Sequence, residues 1–101
     1  MKYALIQRPS PATIGMLKRK TTDAGIREEL EQRGVEAIGI CQGTVLEVLV
    51  ASDIAEKAAG VVAGEVNGNC PQHITCLAIL GDTGAVNAAL EAVKTAVFEL
   101  K

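Results

Sequence analysis

VVAGEV-NGNCPQH-ITCLAIL, residues 61–80, is the stretch that decides how this chain is read. Two apolar runs, Val61–Val66 and Ile74–Leu80, flank a polar, glycine-bearing segment. That is the pattern of two strands joined as a β-hairpin. The loop, Asn67–His73, holds more chemistry than a turn requires. It carries His73, the only histidine, and Cys70, one of three cysteines. Pro71 removes a backbone donor and fixes φ, which stiffens the tip beside the thiol. Gly68, Asn69 and Gln72 complete it, and the remaining residues read as a scaffold that presents it.

Moving outward, Gly60 ends a helix predicted over Val45–Ala59, with Thr44 as its cap. Leu46, Leu49, Val50, Ile54 and Ala58 form its apolar stripe, and Ala51, Ala55 and Ala59 permit close packing. Lys57 sits near its C-terminal end, where the helix dipole favours a cation. On the other side, Gly81-Asp82-Thr83 makes a turn and cap. The helix after it, Gly84–Phe98, places Val86, Leu90, Val93 and Val97 on one face.

Val35–Cys41 reads as a strand in which Gly39 marks a close approach by a neighbouring backbone or a kink. Thr22 or Asp23 caps a short surface helix with Ile26 and Leu30 inward, stopped by Gly34. Tyr3–Ile6 is the first strand. Pro9 and Pro11 make Arg8–Ala12 an irregular turn, and Thr13–Leu17 is expected to resume extended structure. Lys18-Arg19-Lys20 reads as the solvated end of a strand or loop. The order β-α-β-α-β-β-α predicts one α/β domain over residues 1–101. Periodicity alone suggests a mixed sheet of four strands with helices mostly on one face.

Composition narrows the function classes. The chain has 101 residues, a net charge of −2, and only Tyr3 and Phe98 as aromatics. Nucleic-acid and sugar sites usually want stacking rings, and this charge exerts no pull on phosphate. Met1–Gln7 is too short for a secretory signal, and no apolar run approaches membrane-spanning length. A soluble, reducing, cytoplasmic setting is expected, with neither nucleic acid nor membrane as partner. There, cysteines act as buried apolar residues, nucleophiles or metal ligands. Cys41 and Cys76 lie inside apolar runs and read as core residues.

No P-loop or dinucleotide fingerprint is present. A Cys70–His73 nucleophile–base pair lacks an orienting acid nearby in sequence, so no catalytic residue is assigned. Cys-Pro is a familiar local form at iron–sulfur ligands. One loop supplies too few soft ligands for a cluster, so a metal site here requires symmetry-related copies.

Three pieces carry a resemblance to a known family: AIGI at Ala37–Ile40, ASDIAEKAAGV at Ala51–Val61 and LGDTGAVNAALEAV at Leu80–Val93. They resemble the bacterial microcompartment (BMC) shell domain, with its "SDxxxKAA" first helix and "GDxGAVxAAxxA" helix start. About 35 residues precede AIGI and the chain ends after the Gly84–Phe98 helix, which looks like the circularly permuted subclass. The resemblance implies a single permuted domain with a mainly antiparallel four-stranded sheet, assembled as a cyclic homohexamer. Such hexamers tile a shell with other shell proteins, inside the cytoplasm. It further implies that Asn67–His73 lines the central pore and that Lys57 is the edge lysine between hexamers. Leu80 stands where the family often has Arg, a departure that bears on flat tiling.

Permuted order together with a Cys-Pro-x-His loop resembles shell proteins of glycyl-radical, propanediol-type microcompartments, a group associated with an iron–sulfur cluster in the pore. The resemblance thus implies Cys70 as ligand to a shared cluster of [4Fe–4S] type, with His73 as a further candidate, for electron transfer or redox sensing. The alternatives are a plain metabolite pore ringed by Asn69, Cys70 and Gln72, and a small thiol-dependent redox enzyme.

Overall fold

The computed structural model describes residues 1–32, 35–66 and 74–98. Its elements are β1 (Lys2–Gln7), α1 (Pro11–Lys20), α2 (Ala24–Gln32), β2 (Ala37–Thr44), α3 (Val45–Ala58), β3 (Val62–Val66), β4 (Ile74–Gly81) and α4 (Thr83–Phe98). The order is therefore β-α-α-β-α-β-β-α, one helix more than the sequence pattern suggested.

The additional helix is α1, which replaces the extended segment expected over Thr13–Leu17. Pro11 occupies its first turn, and the Ser10 hydroxyl accepts a hydrogen bond from the Thr13 amide at 3.3 Å. Proline at the first helical position lacks only a donor that would be unpaired there, so Ser-Pro opens this helix where it had read as a breaker. Lys18-Arg19-Lys20 consequently forms the last helical turn. The other caps fall as expected. The Asp23 carboxylate accepts from the Ile26 amide at 2.9 Å, and Asp82 from the Ala85 amide at 2.8 Å. Thr44 and Glu47 form a reciprocal capping box. The stop assigned to Gly34 lies outside the described residues.

The four strands form one sheet in the order β1-β2-β4-β3. Every pairing is antiparallel, which corrects the mixed sheet and agrees with the antiparallel one. The helices cover both faces, which corrects the single-sided arrangement. On one face, α3 and α4 bury Val48, Ala51, Ala55, Val86, Ala89 and Val93 against Ala37, Cys41, Leu77 and Ile79. On the other, α1 and α2 bury Leu17, Ile26 and Leu30 against Ile38, Ala78, Leu80 and Val66. The reason is visible in the central strands. Their apolar runs are continuous and do not alternate, so both faces shed water only if both are covered.

Two local expectations also change. The buried stripe of α3 is Val48, Ala51 and Ala55, while Leu46 and Leu49 stay 64% and 63% exposed. Apolar residues surround much of this helix, so periodicity does not select a face. Alanine does, by letting α3 approach closely. At Gly39 the neighbours are side chains of α4: an added Cβ would lie 2.9 Å from Val86 Cγ1 and 3.2 Å from Leu90 Cδ1.

Candidate functional site

β3 ends at Val66 and β4 begins at Ile74, so the 67–73 connection springs from one end of the sheet. Val66 pairs with Cys76, and Ile74 with Thr44. The predicted site residues Asn67, Gly68, Asn69, Cys70, Pro71, Gln72 and His73 lie outside the described residues. What the structure does define is the base on which they stand.

Thr21 holds one side of that base. It is 1% exposed and bridges Val66. Its hydroxyl donates to the Glu65 carbonyl at 2.9 Å and accepts from the Asp23 amide at 3.1 Å, while the Arg27 guanidinium donates to its carbonyl at 2.9 Å. The segment before β2 is thereby tied to edge strand β3. Sequence reasoning missed this residue. Its one signal is a threonine two positions before a helix-capping aspartate, which is too common to single out.

On the α3/α4 face, the Thr75 hydroxyl donates to the Glu65 carboxylate at 2.8 Å. The Thr44 amide donates to the Glu47 carboxylate at 2.9 Å, and these bonds hold that carboxyl below its ordinary range. Val45, Leu46 and Leu49 remain large, apolar and exposed in the same region, while Ile74, also exposed, alternates to the other face of β4. Leu49 lines a cleft of about 230 Å³ together with Ala63, Glu65 and Thr75.

The two described cysteines do not form a metal site. Adjacent strand positions put them on opposite sheet faces, Cys41 under α3 and α4, and Cys76 toward α1 and α2. Burial pushes the Cys41 thiol up to about 11, opposed by Lys94 and reinforced by Cys76. Cys41 is fully buried as expected, and Cys76 is partly exposed. Among the described residues, no three His, Cys, Asp or Glu side chains converge to hold a metal ion. Lys57, at the far end of α3, is exposed and pairs with Asp53 at 2.9 Å.

Residues 37–101 match the BMC domain family model. The chain is similar to the GrpU microcompartment shell protein from Pectobacterium wasabiae, in its ligand-free structure. Identity is 32% over 92% of this chain and 99% of that one, with a TM-score of 0.71. The GrpU shell protein from Clostridiales bacterium 1_7_47FAA is also 32% identical, over 98% of this chain and 94% of that one, with a TM-score of 0.73. The fused permuted hexameric shell protein MSM0275 from the RMM microcompartment shares the fold. It has 24% identity and a TM-score of 0.73, over 96% of this chain and 45% of that one. No curated protein matches.

The family match begins at Ala37, the first residue of β2. β1, α1 and α2 precede it, yet they supply one sheet edge and the cover of one face, which is the permuted arrangement. The chain therefore belongs to the BMC-domain family and is a structural shell protein of bacterial microcompartments.

Proposed function

We propose that this chain forms a cyclic hexameric shell tile whose central pore is lined by the 67–73 connection, and that Cys70 residues from several subunits hold an iron–sulfur cluster there. The observation that carries the ring is the exposed apolar surface at the loop end of the sheet. Val45, Leu46 and Leu49 are 47%, 64% and 63% exposed in the single chain. A patch of this kind marks an interaction site, and a head-to-tail ring covers it in every subunit. Lys57, solvent-facing at the other end of α3, is then available for contact between neighbouring hexamers.

The donor chemistry supports a shared cluster. Cys41 is sealed in the core and Cys76 faces the opposite side of the sheet, so the described residues of a single chain offer no convergent thiolates. Cys70 is the cysteine on the pore segment, and a sixfold ring presents one copy per subunit. A cubane cluster has threefold but not sixfold symmetry. Cys70 from alternate subunits would hold such a cluster, with His73 as a further candidate ligand. When bound, such a cluster supplies one-electron transfer. Unloaded, the crowded thiols are open to oxidation.

The test is anaerobic purification with iron and acid-labile sulfide assays, alongside mass by light scattering. The expected result is a hexamer carrying both elements, with Cys70→Ser retaining the hexamer and losing the iron. A colourless, iron-free hexamer after anaerobic reconstitution would leave a plain metabolite pore. A monomer would undermine the ring.

A further inference from the structure

The charge of this chain is almost balanced, yet the fold segregates it. α1 ends at Lys20, and the next residue, Thr21, bridges Val66 at the base of the 67–73 connection. Lys18, Arg19 and Lys20 therefore stand at the loop end of the α1/α2 face. Arg27 joins them, because its guanidinium is tied to the Thr21 carbonyl at 2.9 Å. Arg19, Lys20 and Arg27 are exposed and Lys18 is partly so. None of the four has an ion-pair partner among the described residues.

The acids of this face lie elsewhere or are occupied. Asp23 is the one acid beside the cluster; its carboxylate caps the Ile26 amide and keeps its charge, one negative group against four cations. Glu28, Glu29 and Glu31 lie further along α2, which runs away from the loop end. Ile26 sits over Gly64, and Glu29 lines a cleft with Gly60 and Gly81 at the opposite end of the sheet. The α3/α4 face has no matching cationic cluster near the loop end: Glu47 lies beside the N-terminal ammonium, Glu65 is there too, and Lys94 pairs with Glu91 at 3.8 Å.

We infer that the loop end of the α1/α2 face, built from Lys18, Arg19, Lys20 and Arg27, is a cationic docking surface for an acidic protein partner. The inference rests on the proposed ring for its multiplicity, since six copies collar one mouth of the pore and engage a polyanion multivalently. The helix C-terminal dipole accounts for cations in the last turn of α1, but it does not place Arg27 beside them. Successive helical residues point about 100° apart, so the three cations fan out and do not converge on one small anion. A spread field suits an extended acidic surface. The one large apolar side chain exposed on α1 is Met16, which gives no wedge for a lipid bilayer.

The test uses the intact protein with fluorescent poly-L-glutamate as probe, followed by anisotropy against salt, with light scattering on the same sample. Binding is expected to weaken as salt rises. The combined Lys18→Gln, Arg19→Gln, Lys20→Gln variant should bind at least about tenfold more weakly, with unchanged circular dichroism. Arg8→Gln, a neutralised exposed cation at the opposite end of the sheet, should change binding by less than about twofold. An intact ring that does not bind the probe overturns the inference, as does an equal loss with Arg8→Gln. Stoichiometric competition by inorganic phosphate, or tighter binding to phosphatidylserine vesicles than to poly-L-glutamate, also overturns it. A monomeric mass overturns the ring reading alone, and the same pair of variants then decides the docking surface on the monomer.

Discussion

The Thr21 hydroxyl donates to the Glu65 backbone carbonyl at 2.9 Å, across 44 residues of sequence. It is the clasp between the segment preceding the family-matched region and that region's own edge strand. Thr21→Val keeps the shape but leaves the Glu65 carbonyl and the Asp23 amide without this partner. A cost of about 1–3 kcal/mol is expected, read as a lower urea midpoint. Thr21→Ser should recover most of it. Equal stability of the valine variant would mean that the β bridge alone holds the edge.

Gly39 and Gly60 should respond oppositely to alanine. At Gly39 the new Cβ meets Val86 at 2.9 Å and Leu90 at 3.2 Å, inside a closed core. Overpacking there should destabilise by about 1–3 kcal/mol. At Gly60 no atom lies within 4 Å, and no glycine among the described residues has positive φ. Gly60→Ala should be neutral or gain up to about 1 kcal/mol through the unfolded chain. Thermal melts of the two variants make the comparison.

Leu49→Glu separates folding from assembly. The side chain is 63% exposed in the single chain, so the fold should survive with a change within about 0.5 kcal/mol. In the proposed ring it meets a neighbour, and a buried unpaired carboxylate there should shift the light-scattering mass toward monomer. A fully retained hexamer would move the interface away from this face of α3.

The capping box makes stability depend on acid. The Glu47 carboxyl is held below its ordinary value of 4.5 by its bonds to Thr44. Its contribution is present above that value and is lost as pH falls through the lower folded value. Glu47→Gln should therefore differ from the parent at pH 7, and the difference should shrink below about pH 4.5. Thr44→Ala should cost about 1 kcal/mol at neutral pH. Urea midpoints across pH check both.

Cys41 gives the alkaline counterpart. Its folded value is raised from 9.0 to about 11 by burial. The associated stability is present below pH 9.0 and is lost as pH rises toward about 11. Cys41→Ala should lower stability at every pH but flatten that alkaline decline. In the native protein, Cys41 should resist maleimide until denaturant is added, whereas the partly exposed Cys76 reacts sooner.

The elements that periodicity or cap chemistry specifies locally were legible from sequence: β1, β2, the 61–80 strand pair, α3, α4 and the caps at Thr44, Asp23 and Asp82. So was the family, because AIGI, ASDIAEKAAGV and LGDTGAVNAALEAV are contiguous patterns. Helix α1 was not legible, because Ser10-Pro11 supports a turn and a helix start equally well until the next turn packs Leu17. The inner face of α3 was also hidden, since leucine and alanine both lie on candidate stripes and only the approach of α4 selects Ala51 and Ala55. The Thr21 clasp and the cationic collar were decided by tertiary structure alone. The clasp joins residues 44 apart in sequence; Lys18-Arg19-Lys20 is contiguous, but only the packing of α1 and α2 on the sheet and the bond from Arg27 to Thr21 bring the triplet and Arg27 to one end of it.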